Sequence, residues 1–141
     1  MKRKGSAVWH GDLKTGHGII STESAVLQDA AYSFGTRFEN GRGTNPEELI
    51  GAAHAGCFSM ALSAELQKAG FTAESISTTA HVQLENDPKT SWTITRIHLE
   101  TTAMVPNIAP EKFREIANGA KSGCPVSRLF KAEITLDAKL A

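Results

Sequence analysis

Residues 45–64, NPEELIGAAHAGCFSMALSA, decide how the rest of the chain must be arranged. Asn45 has a side chain suited to an N-cap, Pro46 suits the first helical position, and Glu48 stands three residues after the cap, the spacing of a capping box. This pattern predicts a helix from Pro46 to about Lys68, stopped by Gly70. From Leu49 to Ala64 that helix carries no charged residue and no polar face, so it must be covered on all sides. It falls short of the roughly 20 predominantly apolar residues of a membrane span and is interrupted by Gly, Ser and His, so burial within protein is expected. Ala53, Cys57 and Ala61 form one row of small residues and Ala52 and Gly56 the next, which allows another helix to approach closely. One sheet covers only one side of such a helix, and the simplest cover for the other is a second copy of the same chain. A homodimer with these helices near its centre is therefore expected.

Working outward, residues 5–38 hold short apolar pieces separated by Gly and polar residues: Ala7 to Trp9, Gly18 to Ile20, Ala25 to Leu27 and Tyr32 to Phe34. They read as short strands, with Lys14 to Gly16 as a hairpin loop. The segment GRG at 41–43 lacks phosphate-loop spacing and reads as a turn. After Gly70, Ile76, Thr78, Ala80, Val82 and Leu84 share one face of an alternating strand. A hairpin turn at 85–90 leads to a second strand whose apolar phase changes from Trp92 and Ile94 to Ile97 and Leu99, which predicts a bulge near Thr95. Pro110 opens a helix with Glu111 in its first turn, Ser122 and Gly123 interrupt it, and Cys124 and Pro125 begin a short third helix. Ala132, Ile134, Leu136, Ala138 and Leu140 alternate in a closing strand. Strands, a long helix, a hairpin, a broken helix and a last strand make an α+β fold with antiparallel sheet.

The chain has 141 residues and a mass of 15.1 kDa, the size of one domain spanning residues 1–141. Fifteen Lys and Arg balance 15 Asp and Glu, and no block of like charge appears, which argues against nucleic acid as a partner. The opening MKRKGSAVWHGDLK is basic but lacks an apolar stretch behind it, so it does not read as a secretory signal. A cytoplasmic, reducing location is expected. In that setting the two cysteines, Cys57 and Cys124, are too few for a disulfide scaffold; they are either core residues or a working pair.

Cys57 lies mid-helix, where a free cysteine commonly serves as a small hydrophobe. Cys124 precedes a proline at a helix start, where unpaired N–H groups favour a thiolate, so it looks the more acidic of the two. Cys57 needs a cation from elsewhere to ionise. Arg37 and Arg42 before the long helix, and Glu47 and Glu48 opening it, read either as solvated charges or as an Arg that pairs with a thiolate and a Glu that holds the Arg. Glu47 and Cys57 are ten residues apart, about 15 Å along a straight helix. A shared site then requires a break at Gly51, a long Arg bridging the gap, or completion across a dimer. His54, one turn before Cys57, is either a satisfied interior histidine or part of a Cys–His pair or metal fragment.

The stretches TRFENGRGTNPEELIGAAHAGCFSMALSAEL and KSGCPVSRLFKAEITLDAKL, with the STES segment at 21–24, closely resemble the OsmC branch of the OsmC/Ohr family, the osmotically inducible and organic-hydroperoxide-resistance thiol peroxidases of bacteria. The wording HAGCFSMAL is similar to the OsmC branch more than to the Ohr branch. The resemblance implies an OsmC-like fold, with antiparallel sheets packed on long central helices in an intertwined homodimer. It implies that Cys57 is the peroxidatic cysteine and Cys124 the resolving one, that Arg37 attends the reactive thiolate and that Glu47 is its carboxylate partner. It also implies two active sites at the subunit interface, no metal or other cofactor, an organic hydroperoxide substrate, no membrane partner and an external dithiol reductant of lipoyl type.

On this reading Cys57 becomes a sulfenic acid and Cys124 closes a disulfide. Phe58, Met60 and Leu62 around Cys57 would favour organic over hydrogen peroxide. The alternatives are a non-enzymatic stress or ligand-binding protein with inert buried cysteines, and a hydrolase or metal protein built on His54 and Cys57. The distance between the two cysteines separates these readings.

Overall fold

A computed structural model describes residues 1–141 as two compact units, Met1–Leu49 and Ile50–Ala141. In the first, β1 (Gly5–His10), β2 (His17–Thr22) and β3 (Ala30–Ser33) form an antiparallel sheet in the order β1-β2-β3. The loop at Lys14–Gly16 joins β1 to β2 as expected, with His10 opposite His17. Two expectations fail here. Ala25–Leu27 is a turn, with Ala25 at φ 58° and Thr22 N–H bonded to the Leu27 carbonyl at 2.9 Å. Tyr32 to Phe34 divides between β3 and a short helix, α1 (Phe34–Phe38). That helix is nucleated by a reciprocal cap: Ser33 Oγ accepts from Thr36 N–H and Thr36 Oγ1 from Ser33 N–H, which satisfies two donors that a one-turn helix leaves open.

The turn at 41–43 folds tightly back onto α1. Gly43 has φ +142°, and a Cβ there would lie 2.5 Å from the Ala31 carbonyl oxygen. Thr44 N–H donates to that same carbonyl at 2.8 Å. The glycines thus bring the start of the long helix alongside α1.

That helix, α2, spans Pro46–Lys68, the bounds the sequence predicts. Asn45 Oδ1 accepts from Glu48 N–H at 2.8 Å. The Glu48 carboxylate, however, takes the Thr44 hydroxyl at 2.6 Å rather than completing the capping box. The helix is unbroken at Gly51, whose Cβ would stand 3.2 Å from the Ala80 carbonyl and 3.4 Å from Val82 Cγ2. This glycine provides close approach to a strand and is not a hinge.

The second unit holds β4 (Ser75–Asp87), β5 (Ser91–Met104) and β6 (Glu133–Leu140) in the order β4-β5-β6, with α3 (Pro110–Gly123) and α4 (Pro125–Leu129) between the last two strands. The bulge falls at Thr95: Gln83 pairs with Arg96 and Leu84 with Ile94. β4 and β5 are antiparallel, but β6 runs parallel to β5, against the all-antiparallel sheet expected. The reason is the α3–α4 crossover, which returns the chain to the same end of the sheet before β6 begins.

One core unites the unit. Phe58, Leu62 and Leu66 from α2, Leu99 and Ala103 from β5, and Phe113, Ile116, Ala117 and Ala120 from α3 are all buried with Cys124. The α2 contributors, with His54, recur every fourth residue and define one buried stripe. The opposite stripe, Ala52, Ala53, Gly56, Met60 and Ala64, is exposed, Met60 at 76%. By length and composition α2 is apolar enough to cross a membrane, with a mean hydropathy of 1.3 over its most apolar 18 residues, contrary to the sequence estimate. Its stripe of core contacts is that of an interior helix.

Two substitutions test this packing. Gly51→Val should push α2 from β4 and destabilise the fold by about 1–3 kcal/mol. Gly119→Ala, in open space on α3, should add about 0.5–1 kcal/mol of helix stability. Urea unfolding midpoints read both.

Candidate active site

The four residues singled out by sequence fall into two pairs, one in each unit. In the first unit Arg37 is the last-turn residue of α1 and Glu47 lies in the first turn of α2. Arg37 Nη2 donates to Glu47 Oε1 at 2.7 Å, and Nε donates to Oε1 at 3.1 Å and Oε2 at 3.3 Å. Such forked contact fixes the plane of the guanidinium as well as its position. The arrangement depends on the 41–43 turn and on Asn45, whose amide donates to the Thr36 carbonyl at 3.2 Å, tying α1 to the start of α2. The guanidinium carbon also stands 5.3 Å from the Phe38 ring centre, within cation–π range. Arg42 has no such partner role in the geometry, and Glu48 serves the helix start.

A cavity of about 310 Å³ opens beside Arg37, lined mainly by Trp9, Leu13, Tyr32, Phe34 and Phe38. None of these aromatic residues was singled out from sequence. Phe34 and Phe38 stand four apart, but α1 is too short to show helical periodicity. Of the apolar residues expected around Cys57, Phe58 and Leu62 are fully buried in the core against which Cys57 packs, and Met60 is exposed.

In the second unit Cys57, on α2, and Cys124, at the joint between α3 and α4, are both free thiols. Their sulfurs are 2.9 Å apart, with Cys124 Sγ hydrogen-bonded to Cys57 Sγ. Cys124 ends α3 and begins α4, because Pro125 cannot continue the α3 hydrogen-bond ladder. Its N–H donates to the Ala120 carbonyl and its carbonyl accepts from Arg128 N–H. Burial pushes the Cys124 thiol up, but hydrogen bonds from Cys57, from the backbone and hydroxyl of Ser127 and from the Val126 backbone outweigh it and hold the thiol low. Burial pushes Cys57 up, and its bond to Cys124 adds to that. Two sulfurs this close share their protons as a pair, and of the two it is the Cys124 thiol that is held low. This agrees with the expectation that Cys124 is the more acidic.

His54 is fully buried. Its Nε2 lies 2.7 Å from Ser127 Oγ, its ring is 5.7 Å from that of Phe130, and its Nδ1 has no hydrogen-bond partner. Burial holds the ring below the ordinary histidine range, so the neutral imidazole is favoured. An Nε2–H tautomer donating to Ser127 leaves Nδ1 as an unpaired acceptor, a cost of about 1–3 kcal/mol. No hydrogen bond joins His54 to Cys57, which removes the geometric basis for a Cys–His dyad. Nor is any group of three or more His, Cys, Asp or Glu side chains placed to hold a metal ion. Ser127 was not singled out from sequence, although it stands in the SGCPVS motif three residues after Cys124.

Comparison with known proteins agrees with this architecture. Residues 39–139 match the family model described as OsmC-like protein. The chain is 56% identical over 140 residues to Peroxiredoxin OsmC of Escherichia coli K12, covering 99% of this chain and 97% of that protein. Among solved structures it resembles an OsmC-like protein of Vibrio cholerae, with TM-score 0.77, 12% identity and coverage of 98% and 99%. It also resembles the organic hydroperoxide resistance protein OhrB of Bacillus subtilis, with TM-score 0.68, 22% identity and 98% of each chain covered. With its two cysteine motifs, a match over most of its length and this degree of identity, the chain belongs to the OsmC-like protein family.

Proposed function

We propose that this chain is a thiol-dependent peroxidase that reduces organic hydroperoxides to alcohols, and hydrogen peroxide more weakly, in oxidative and osmotic stress defence. The observation that carries this reading is the meeting, at 2.9 Å, of two reduced sulfurs 67 residues apart in sequence. Inert core cysteines have no need of such contact. The name of the E. coli relative supports the same reading.

Cys57 is the attacking thiolate. Its sulfur takes the terminal oxygen of the hydroperoxide: an S–O bond forms, the O–O bond breaks, and the alkoxide gains a proton and leaves as the alcohol. Arg37, oriented by Glu47, supplies the cation that favours the Cys57 thiolate and offsets charge on the departing oxygen. Cys124 then closes the disulfide, and an external dithiol of lipoyl type reopens it by exchange. The aromatic cavity beside Arg37 favours substrates with an alkyl or aryl group, because hydrogen peroxide has no surface to bury there.

The 141 residues act as one functional domain, in the cytoplasm, without a metal or other cofactor, and without nucleic acid or membrane as partners. The particle is a homodimer. The uncharged stripe of Ala52, Ala53, Gly56, Met60 and Ala64 left exposed on α2 is the surface a second copy covers.

Stopped-flow mixing of reduced protein with cumene hydroperoxide tests the chemistry. Cys57→Ser should abolish consumption, Cys124→Ser should trap a dimedone-reactive sulfenic acid, and Arg37→Ala should slow the first step by about 10²–10³-fold. Consumption by Cys57→Ser at the wild-type rate would overturn the proposal. Phe34→Ala should lower kcat/KM for cumene hydroperoxide more than for hydrogen peroxide. Sedimentation should give twice the 15.1 kDa chain mass, and Met60→Glu should shift it toward the single chain.

A further inference from the structure

We propose that His54 is a positioning residue for disulfide closure: through its bond to Ser127 it holds the start of α4 and the Ser127 hydroxyl against Cys124, keeping that sulfur in line with Cys57. This rests on the peroxidase reading above and assigns the second half of its cycle.

The geometry is a ladder with two rungs. His54 and Cys57 stand three residues apart on α2, and Cys124 and Ser127 stand three apart where α3 gives way to α4. One rung is His54 Nε2 to Ser127 Oγ at 2.7 Å and the other is Cys57 Sγ to Cys124 Sγ at 2.9 Å. At five residues, α4 is too short to hold its own conformation. Leu129, near its end, is 75% exposed, while Ser127 is buried; the His54 bond ties α4 to α2 beside the Val126 N–H that meets Cys57 and the packing of Val126 on the core. His54 keeps a buried, unpartnered Nδ1 to present Nε2 to that serine. An apolar side chain would fill the same space without an orphaned atom. The groups that act on Cys124 from α4 are the N–H groups of Val126 and Ser127 and the Ser127 hydroxyl, and all three move with α4.

In the step concerned, Cys124 sulfur attacks the sulfur of the Cys57 sulfenic acid. The S–S bond forms and the S–O bond breaks, and hydroxide combines with the proton given up by Cys124 and leaves as water. The electron pair on the Cys124 sulfur makes the new bond, so Cys124 is oxidised and Cys57 reduced until both stand at the disulfide level, and His54 neither gains nor loses a proton.

Single-turnover experiments separate the two halves of the cycle. After one equivalent of cumene hydroperoxide, Ser127→Ala and His54→Leu should slow disulfide closure relative to sulfenic acid formation by about tenfold, with Cys57 sulfinic acid accumulating in mass spectra. Ser127→Thr, which keeps the hydroxyl, and His54→Gln, which keeps a donor, should recover most of the closure rate. Should folded Ser127→Ala and His54→Leu close at the wild-type rate, or lose both phases equally, the positioning role is overturned while the peroxidase reading stands. A wild-type chain that forms no disulfide with hydroperoxide would overturn both.

Discussion

An uncharged helix gains most from burying its apolar side chains, and the second unit is organised around one buried stripe of it. From Leu49 to Ala64, α2 offers nothing to solvate. One stripe, His54, Phe58, Leu62 and Leu66, meets the β4-β5-β6 sheet and α3 in a single core. Gly51 allows the backbone to approach Ala80 closely enough for that contact. Cys57 sits at the border of the stripe, half-buried, which is a position a reactive thiol needs: protected from bulk water, yet beside an open face.

The break between α3 and α4 is the second structural decision, and its consequences are chemical. Pro125 ends one ladder and starts another, so Cys124 closes the first helix and opens the second. Unpaired N–H groups of the new helix then face its sulfur, and the short α4 needs an anchor, which His54 provides through Ser127. The same crossover returns the chain to the sheet in parallel with β5. A feature that reads locally as helix punctuation thus sets strand direction, the position of one thiol and its hydrogen bonds.

The first unit performs a different task. Its capped α1 and its glycine turn bring Arg37 to Glu47, and the strands supply Trp9 and Tyr32 to the cavity beside the guanidinium. The two pairs of candidate residues therefore have separate supports: hydrogen bonding and tight turns hold Arg37 and Glu47, whereas apolar packing holds Cys57 and Cys124. The proposed chemistry needs both, since burial pushes the Cys57 thiol up while that of Cys124 is held low.

Much of this was legible in the residues. The bounds of α2, the bulge at Thr95, the alternation of β4 and the interruption at Cys124 follow from local rules of capping, periodicity and proline geometry, which act within a few residues. The pairing of Arg37 with Glu47 and of Cys57 with Cys124 was legible only through family resemblance, because residues ten and 67 positions apart leave no periodic trace. The sequence by itself determined the elements other than α1 and the turn at Ala25–Leu27, the uncharged helix and the identity of the thiols. Only the tertiary structure decided that β6 runs parallel, that aromatic residues gather at Arg37, and that His54 is committed to Ser127. Each of these is a contact between distant segments, chosen by how one core packs, and local preference along the chain carries no information about it.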